Sequence, residues 1–340
     1  MPGSGRVTRV LVATGLLVVA GAVIGRLRRV VVPPRPDEGA SPVPRRIPDP
    51  GSRPSPDGAG LRVAVNPTSG PAWTSSPADA LRAALPAAEV VELGPDDDLD
   101  DLLGAPGLTA IGVAGGDGTV SAAARIAAAR DLPLVVVPAG TLNHLAGDLG
   151  IDDVEAAVAA VRAGTATHMD LGTVADRTFV NTLALGGYPA LVDARERLEP
   201  RLGKWPALLV ALARELPRME PLRLEVDGRP VRVWLAWIGN GTYDPAGFAP
   251  AWRPRIDDGL LDIRIVDGSR RWSRARLIAH VLAGRLPSCP VYEQRLARSL
   301  RVRSLDGPLR LAIDGETFDA PADVEVAKLP RALLVSVPPA

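Results

Sequence analysis

The first half of the chain alternates between two hydrophobic periods. Short apolar runs typical of strands lie at Leu61–Val65, Glu89–Leu93, Leu108–Ala114 and Leu134–Val137. Helical spacing occurs at Pro77–Leu85, at Val120–Ala129 and from the cap Asp152 through Val161, with Gly164 beyond it. Strands that alternate with helices predict a parallel sheet with helices on both faces.

After about residue 170 the pattern changes to short strands separated by turns. The predicted strands are Phe179–Leu183, Arg223–Val226, Val231–Ile238, Leu260–Val266, Leu300–Val302 and Leu309–Ile313. Asp227-Gly228 and Asp314-Gly315 are residue pairs typical of hairpin turns. This half is therefore predicted to be antiparallel β, a sandwich or barrel, with helices at Leu202–Arg214 and Ser273–Leu286.

The two patterns predict two domains. An α/β domain is expected over residues 61–170 and a β domain over residues 171–317. The last apolar run, Ala332–Val337, could belong to either domain, so residues 318–340 could rejoin the first.

Residues 1–60 differ from the rest in charge. They hold 9 basic and 4 acidic side chains, whereas the whole chain has 39 of each. The uncharged run Val10–Gly25 predicts a membrane anchor within residues 1–30, and the arginines that follow it place its C-terminal side in the cytoplasm. A cleaved signal peptide is the alternative, because residues 20–22 (Ala-Gly-Ala) resemble a cleavage site. The proline-rich residues 31–60 predict a disordered linker.

Composition excludes several classes of protein. The 340-residue chain has zero net charge, which gives no indication of nucleic-acid binding. Its two lysines, Lys204 and Lys328, lie outside any GxxxxGK[ST] pattern, which excludes a Walker-type phosphate loop. The single cysteine, Cys289, excludes intrachain disulfides and cysteine-based zinc fingers. The three histidines are too far apart for an HExxH metal site.

Three small polar loops follow predicted strands of the first half. They are residues 66–70 (NPTSG), 115–119 (GGDGT) and 138–143 (PAGTLN). Ligands of open α/β sheets bind beyond the carboxyl ends of the strands, and glycine loops before helices bind anions. Asp117 would repel a phosphate unless a divalent cation lay between them, although it could instead cap the following helix. The three loops together therefore predict a nucleotide site that lacks a lysine.

The sequence resembles the lipid kinase family that includes diacylglycerol kinases and sphingosine kinases. The matching segments are VNPTSG (65–70), GGDGTV (115–120), GTLNHLAGDLGI (140–151), FVNTLALGGYPALV (179–192), RIDDGLLDI (255–263) and AIDGE (312–316). The resemblance covers nearly all of residues 61–338. It implies an N-terminal α/β nucleotide domain and a C-terminal antiparallel β-sandwich.

The resemblance also implies a role for each site residue. ATP would be lined by Asn66, Thr68, Gly116, Gly118, Thr119, Gly140, Thr141 and Asn143. Asp117 would hold a catalytic Mg²⁺ through water, and Glu316 would be the general base for the lipid hydroxyl. A second, structural Mg²⁺ would be held by Asp258 with the carbonyls of Arg255 and Leu260. The implied activity is phosphorylation of a diacylglycerol-like lipid at a membrane surface.

Three positions depart from the family pattern. Ala122 and His144 stand where a glutamate and an aspartate are common, and Pro71-Ala72-Trp73 stands where a lysine often follows the first loop. Two alternatives therefore stay open. One is a kinase for a sphingoid base or glycolipid, and the other is a membrane-tethered nucleotide-binding protein without catalysis.

One helix carries a further hypothesis. Arginines surround the predicted helix Ser273–Leu286, at positions 270, 271, 274, 276 and 285, with Trp272 before its first residue. This pattern is compatible with a membrane-facing helix and also with an ordinary amphipathic helix that packs on the protein.

Overall fold

The computed structural model describes residues 53–339, apart from 68, 70–76, 95, 141–142, 203–206, 208–209, 212–213, 215–218 and 245–251. The predicted anchor, most of the predicted linker, Thr68, Thr141 and most of the predicted helix Leu202–Arg214 lie outside this part of the chain. Within it, no helix is both long enough and apolar enough to cross a membrane.

The first half is the predicted α/β layer structure. Four parallel strands run in the order β4-β3-β1-β2. They are β1 (Leu61–Val65), β2 (Glu89–Glu92), β3 (Ala110–Gly115) and β4 (Leu134–Pro138). The helices are α1 (Pro77–Ala84), α2 (Leu99–Leu103), α3 (Asp117–Ala129), α4 (His144–Asp148) and α5 (Val154–Ala163). β3 and β4 are almost fully buried, because helices cover both faces of the sheet.

The helix ends correct one prediction. The cap of α5 is Asp153 and not Asp152, because the Asp153 side chain accepts a hydrogen bond from the Ala156 N–H at 2.8 Å. The predicted stop is confirmed, since Gly164 adopts the left-handed conformation, φ 62°, at the end of the helix.

The second half is an antiparallel β-sandwich. Its strands are β5 (Ala166–Val174), β6 (Arg177–Phe179), β7 (Thr182–Gly186), β8 (Leu222–Val226), β9 (Arg229–Asn240), β10 (Leu261–Asp267), β11 (Tyr292–Ala297), β12 (Ser299–Ser304), β13 (Leu309–Ile313), β14 (Glu316–Ala320) and β15 (Asp323–Ser336). Two helices accompany them, α6 (Gly187–Leu202) and α7 (Ser273–Leu282), with a short 3₁₀ turn at Leu286–Ser288. The inward-facing apolar residues of the strands form a second hydrophobic core.

The predicted strand Phe179–Leu183 is wrong as a single element. It is divided between β6 and β7, with Val180 and Asn181 outside both strands. The N–H groups of these two residues donate to the carboxylate of Asp314, at 2.9 and 2.8 Å. The Asp314 carboxylate of a distant turn therefore accepts the hydrogen bonds that a neighbouring strand would accept if Phe179–Leu183 were one strand.

Both predicted Asp-Gly hairpins are confirmed. Asp227 and Gly228 have φ values of 49° and 76°, and Asp314 and Gly315 have 50° and 97°. Positive φ at both central residues defines the turn that joins two strands most tightly. The second turn pairs Ile313 with Glu316, which fixes the position of the predicted base at the end of a hairpin.

β15 joins the two halves. It pairs with β12 and β5 in the sandwich, and its Val335 pairs in parallel with Leu134 of β4. The last predicted run therefore belongs to both halves, and one hydrogen-bonded sheet passes through the molecule. The β15–β5 register shifts between Leu329 and Leu333, where Arg331 adopts φ 51°.

A buried arginine occupies the junction. The Arg253 side chain is 0% exposed, and its Nε donates to Oδ2 of Asp148 at 2.7 Å. Its guanidinium also donates to the carbonyls of Val180 and Asn240, at 2.8 and 3.1 Å. Asp148 ends α4 in the α/β half, and the two carbonyls belong to the sandwich half, so Arg253 connects the two.

Candidate functional site

The three predicted loops meet at the carboxyl ends of β1, β3 and β4. The Gly116 N–H donates to Oγ of Ser69 at 3.2 Å, and Nδ2 of Asn66 donates to Oγ1 of Thr119 at 3.3 Å. A Cβ on Gly140 would lie only 2.6 Å from Cα of Gly116, so only glycine allows the third loop to approach the second this closely. The structure thus brings Asn66, Gly116, Thr119 and Gly140 together.

The N-terminus of α3 is open toward these loops. Gly116 is the capping residue and offers no side chain to the first turn. A Cβ on Gly118 would meet nothing within 4 Å, so there is space beside the first turn of the helix. Helix N-termini with exposed N–H groups bind phosphate. The residues present therefore fit the phosphates of a nucleotide.

Asp117 joins the second loop to the third. Its Oδ1 accepts a hydrogen bond from the His144 N–H at 2.9 Å. The alternative that Asp117 caps α3 is wrong, because Gly116 holds that position. The donor is the backbone N–H of His144, which does not depend on the side chain. A histidine in place of the aspartate common in the family therefore leaves this contact unchanged. One carboxylate oxygen with a fixed orientation fits a water-mediated Mg²⁺ contact.

Asn143 shapes the third loop. It adopts the left-handed conformation, φ 50°. Its Oδ1 accepts from the Gly140 N–H at 2.7 Å, and its Nδ2 donates to the Gly140 carbonyl at 2.9 Å. The amide therefore closes the loop on itself, which accounts for an asparagine at this position.

Glu316 lies across a cleft from Gly118 of the second loop. It is the first residue of β14 and is exposed, and it lines the same cleft as Gly118 and Ser121 of α3. Asp314 anchors this hairpin, since its carboxylate accepts from the N–H groups of Val180, Asn181 and Thr182 at 2.8–2.9 Å. Burial raises the pKa of Asp314, although the three backbone donors oppose the shift. The Asp-Gly-Glu sequence thus combines an anchor, a turn and the carboxylate predicted to be the base.

The predicted second metal site has hydrogen-bond donors around its carboxylate. Oδ2 of Asp258 accepts from the N–H and the hydroxyl of Thr242, both at 2.8 Å, and Oδ1 accepts from the Leu260 N–H at 2.9 Å. The Leu260 carbonyl accepts from the Gly241 N–H at 3.0 Å. Within the described part of the chain, no three acidic, histidine or cysteine side chains converge on a possible metal.

A buried lysine supplies positive charge beside this loop. The Lys328 side chain is 3% exposed, and its Nζ lies 3.6 Å from Oδ2 of Asp170 and contacts Oδ1 of Asn240. Asp170 also accepts from the N–H groups of Gly259 and Arg331, both at 2.8 Å. Burial lowers the pKa of Lys328 to about 8, against the attraction of Asp170 and Asp258. The ammonium therefore lies in a buried network beside the predicted metal loop of Asp258, Arg255 and Leu260, and the second Mg²⁺ there stays a prediction.

Sequence reasoning missed this polar network. Asp148 and Asn181 lie within matched segments, but no role was predicted for them, and Arg253, Asp170, Asn240 and Lys328 were not identified. The available signal was one of the two lysines, Lys328, placed between the apolar residues Ala327 and Leu329. A lone cation at an apolar position indicates a buried partner of opposite charge.

Comparison with known proteins agrees with the fold. Residues 60–174 match the family model "Diacylglycerol kinase catalytic domain", and residues 187–337 match "YegS C-terminal NAD kinase beta sandwich-like domain". A diacylglycerol kinase of Mycobacterium tuberculosis (strain H37Rv) is 31% identical over 249 residues, 69% of this chain and 78% of that protein. A protein of Stenotrophomonas maltophilia named "Probable lipid kinase YegS-like" is 31% identical over 231 residues, 63% of this chain and 74% of that protein.

Solved structures show the same architecture. A crystal structure of a diacylglycerol kinase from Bacillus anthracis str. Sterne superposes with a TM-score of 0.54 and 18% identity, covering 82% of this chain and 97% of that one. A second structure from that organism gives a TM-score of 0.62 and 21% identity, again covering 82% and 97%. The fold and the matched models define a kinase with an α/β half and a β-sandwich half. The chain belongs to the diacylglycerol kinase family of lipid kinases.

The first prediction concerns the buried Lys328. Lys328→Met should lower the thermal unfolding midpoint by at least about 5 °C, because breaking a buried charge pair costs about 3–5 kcal/mol, and 1 kcal/mol shifts the midpoint by about 2–4 °C in a large domain. Differential scanning calorimetry measures the shift.

Arg301→Met is the matched control, because the Arg301–Asp323 pair is exposed and should contribute little. A Lys328→Met protein that unfolds at the same midpoint as the wild type would contradict a stabilising role for the buried Lys328–Asp170 pair.

Proposed function

We propose that the chain transfers the γ-phosphoryl group of ATP to the hydroxyl of a diacylglycerol-like lipid. The observation that supports this most is that Gly118, beside the anion-binding helix terminus, and Glu316 line one cleft between the two halves. The leaving ADP, held at the start of α3, and the carboxylate of Glu316 would then lie on opposite sides of the reacting γ-phosphorus. Phosphoryl transfer needs this in-line arrangement.

The chemistry follows from this placement. The lipid hydroxyl oxygen forms a bond to the γ-phosphorus while the bond from that phosphorus to the β–γ bridging oxygen breaks, and ADP leaves. Glu316 accepts the hydroxyl proton. The N–H groups at the start of α3 hold the phosphate oxygens, and Asn66 with Thr119 fixes the neighbouring loop.

Asp117 is the residue that would hold Mg²⁺. When bound there, the ion neutralises charge on the β- and γ-phosphates. Asp117 keeps its orientation through the His144 N–H, so its carboxylate is held in place before nucleotide arrives. Thr68, Thr141 and Asn143 complete the proposed ATP site, and the two threonines lie outside the described residues.

The second prediction tests the reaction with two carboxylate variants. The assay is Mg²⁺-dependent transfer of labelled phosphate from ATP to extracted membrane lipids. Asp117→Ala should abolish transfer while leaving the fold intact. Glu316→Gln should reduce the rate by about 10²–10⁴-fold, the usual contribution of general-base catalysis, with little change in apparent ATP affinity.

Glu325→Gln is the control. It changes a different exposed glutamate, which lies on β15 away from the cleft lining, and it should leave the rate unchanged. Identification of the labelled lipid separates diacylglycerol from a sphingoid base or glycolipid. Nucleotide binding without transfer to any lipid would support the non-catalytic alternative. A Glu316→Gln protein that keeps more than about a tenth of the rate would exclude Glu316 as the base.

We also propose that the protein works at the cytoplasmic face of a membrane. The predicted anchor within residues 1–30 supports this, and so does the surface around α7. Residues 269–288 contain five arginines and no acidic residue. Trp272 is 67% exposed, and Ile278 on the exposed face of α7 is 47% exposed. Exposed Trp and aliphatic groups among arginines suit the interface of an anionic bilayer.

The inner face of α7 is packed, which orients the exposed face outward. Arg274 stacks on the Trp234 ring at 3.9 Å and donates to the Met219 carbonyl at 3.1 Å. Arg271 remains beside Trp272, 5.5 Å from its ring. α7 is therefore fixed to the sandwich on one side and presents tryptophan, isoleucine and arginine on the other.

The third prediction tests membrane contact by α7. Ala275→Cys, labelled with an environment-sensitive fluorophore, should show a blue shift with anionic vesicles and little change with zwitterionic ones. Native Cys289 is 3% exposed and should react slowly with the label. A label at Leu305→Cys, another exposed position, is the control and should not shift. Equal responses at the two positions would exclude α7 as the contacting surface.

A further inference from the structure

The cleft that holds Glu316 has two arginines that the reaction described above does not use. Arg125 comes from α3 and Arg177 from β6, and both line the cleft with Gly118, Ser121 and Glu316. Both are exposed, and neither forms an ion pair with an acidic residue in the part of the chain that the structure describes. Arg177 lies over the Phe318 ring at 4.5 Å, which restrains it at the wall of the cleft.

The position of Arg125 follows from helix geometry. It lies seven residues after Gly118 on α3, two turns along the same face and about 10.5 Å from it. Side chains of a helix lean toward its N-terminus, so the guanidinium extends back toward Gly118. Ala122 lies between them on this face and also lines the cleft. A glutamate at this position would neutralise the neighbouring arginines, whereas alanine leaves their charge available.

The three nucleotide loops create a need for such charge. Residues 66–70, 115–119 and 138–143 contain no lysine or arginine. A transferred phosphoryl group would otherwise face the carboxylates of Asp117 and Glu316 without a basic side chain from the loops. The arginines are the basic side chains that line the cleft, Arg125 from α3 on the side of Gly118 and Arg177 from β6 on the sandwich side.

We propose that Arg125 and Arg177 form a phosphate-binding subsite in this cleft, between Gly118 and Glu316. The proposal rests on the proposed phosphoryl transfer, because that reaction places a phosphate between Gly118 and Glu316. Guanidinium groups bind phosphate oxygens through paired, charge-assisted hydrogen bonds. The phosphate has two possible sources, the γ-phosphoryl group in transit or a phosphate in the headgroup of the lipid.

Equilibrium binding tests the subsite without requiring turnover. The probe is short-chain phosphatidic acid, the product expected from diacylglycerol, titrated into the full chain by calorimetry. Arg125→Gln and Arg177→Gln should each weaken its binding by about 10–100-fold, the range for a hydrogen bond to a charged group. Arg229→Gln, an exposed arginine after the other Asp-Gly turn, is the matched control and should bind as the wild type does.

Kinetics distinguish the two sources of phosphate. If the arginines hold the γ-phosphoryl group, the variants lose kcat equally with a neutral diacylglycerol and with a phospholipid that bears a free hydroxyl. If they hold a headgroup phosphate, KM rises for the phospholipid alone. A chain that binds phosphatidic acid through the arginines but transfers no phosphate keeps the subsite and overturns the proposed function.

The double variant Arg125→Gln with Arg177→Gln gives the result that would overturn the subsite. That result is binding of phosphatidic acid as tight as in the wild type, with unchanged kinetics. Circular dichroism and the thermal midpoint confirm that the variants are folded, which is expected because both side chains are exposed.

Discussion

The fold depends on one buried cation, the guanidinium of Arg253. It pairs with Asp148 at the end of α4 and donates to the carbonyls of Val180, just before β7, and of Asn240, the last residue of β9. A single side chain therefore satisfies groups from both halves. Removing one partner of a buried charge pair costs about 3–5 kcal/mol, because the other charge is left without compensation. The Arg253 contacts therefore hold the end of α4 against the sandwich half.

Two aspartates extend this constraint to the site. Asp170 accepts hydrogen bonds from the N–H groups of Gly259 and of Arg331, at the irregular point of β15, and pairs with the ammonium of Lys328. Asp314 holds the backbone between β6 and β7, which places Glu316 at the cleft. In both cases a carboxylate, fully buried in Asp170 and half-buried in Asp314, accepts hydrogen bonds from backbone N–H groups. Backbone N–H groups that are removed from water need hydrogen-bond acceptors, and these two carboxylates provide them.

Much of the architecture follows from local patterns. The α/β alternation, the two Asp-Gly hairpins and the glycine loops are local features, and the structure contains them near their predicted bounds. The loops meet because carboxyl ends of parallel strands lie at one edge of a sheet. The role of Asp314 was visible only as a turn residue, since its partners at 180–182 are more than 130 residues away in sequence.

The remaining features are long-range and could not be inferred from spacing. Arg253 and Lys328 are isolated cations in the sequence, and their partners come from distant segments. Asp152 and Asp153 are equally good caps by type, and only the geometry selects Asp153. The division of Phe179–Leu183 depends on a carboxylate that competes for backbone donors, which an apolar run cannot reveal.

The central claim is that a nucleotide binds at the start of α3 with its terminal phosphate directed into the cleft that contains Glu316. A crystal structure with Mg²⁺ and a non-hydrolysable ATP analogue tests this directly. The account predicts phosphate oxygens on the N–H groups around Gly116 and Gly118, with the γ-phosphate between Gly118 and Glu316. A nucleotide bound away from α3, or one whose γ-phosphate points out of this cleft, would contradict it.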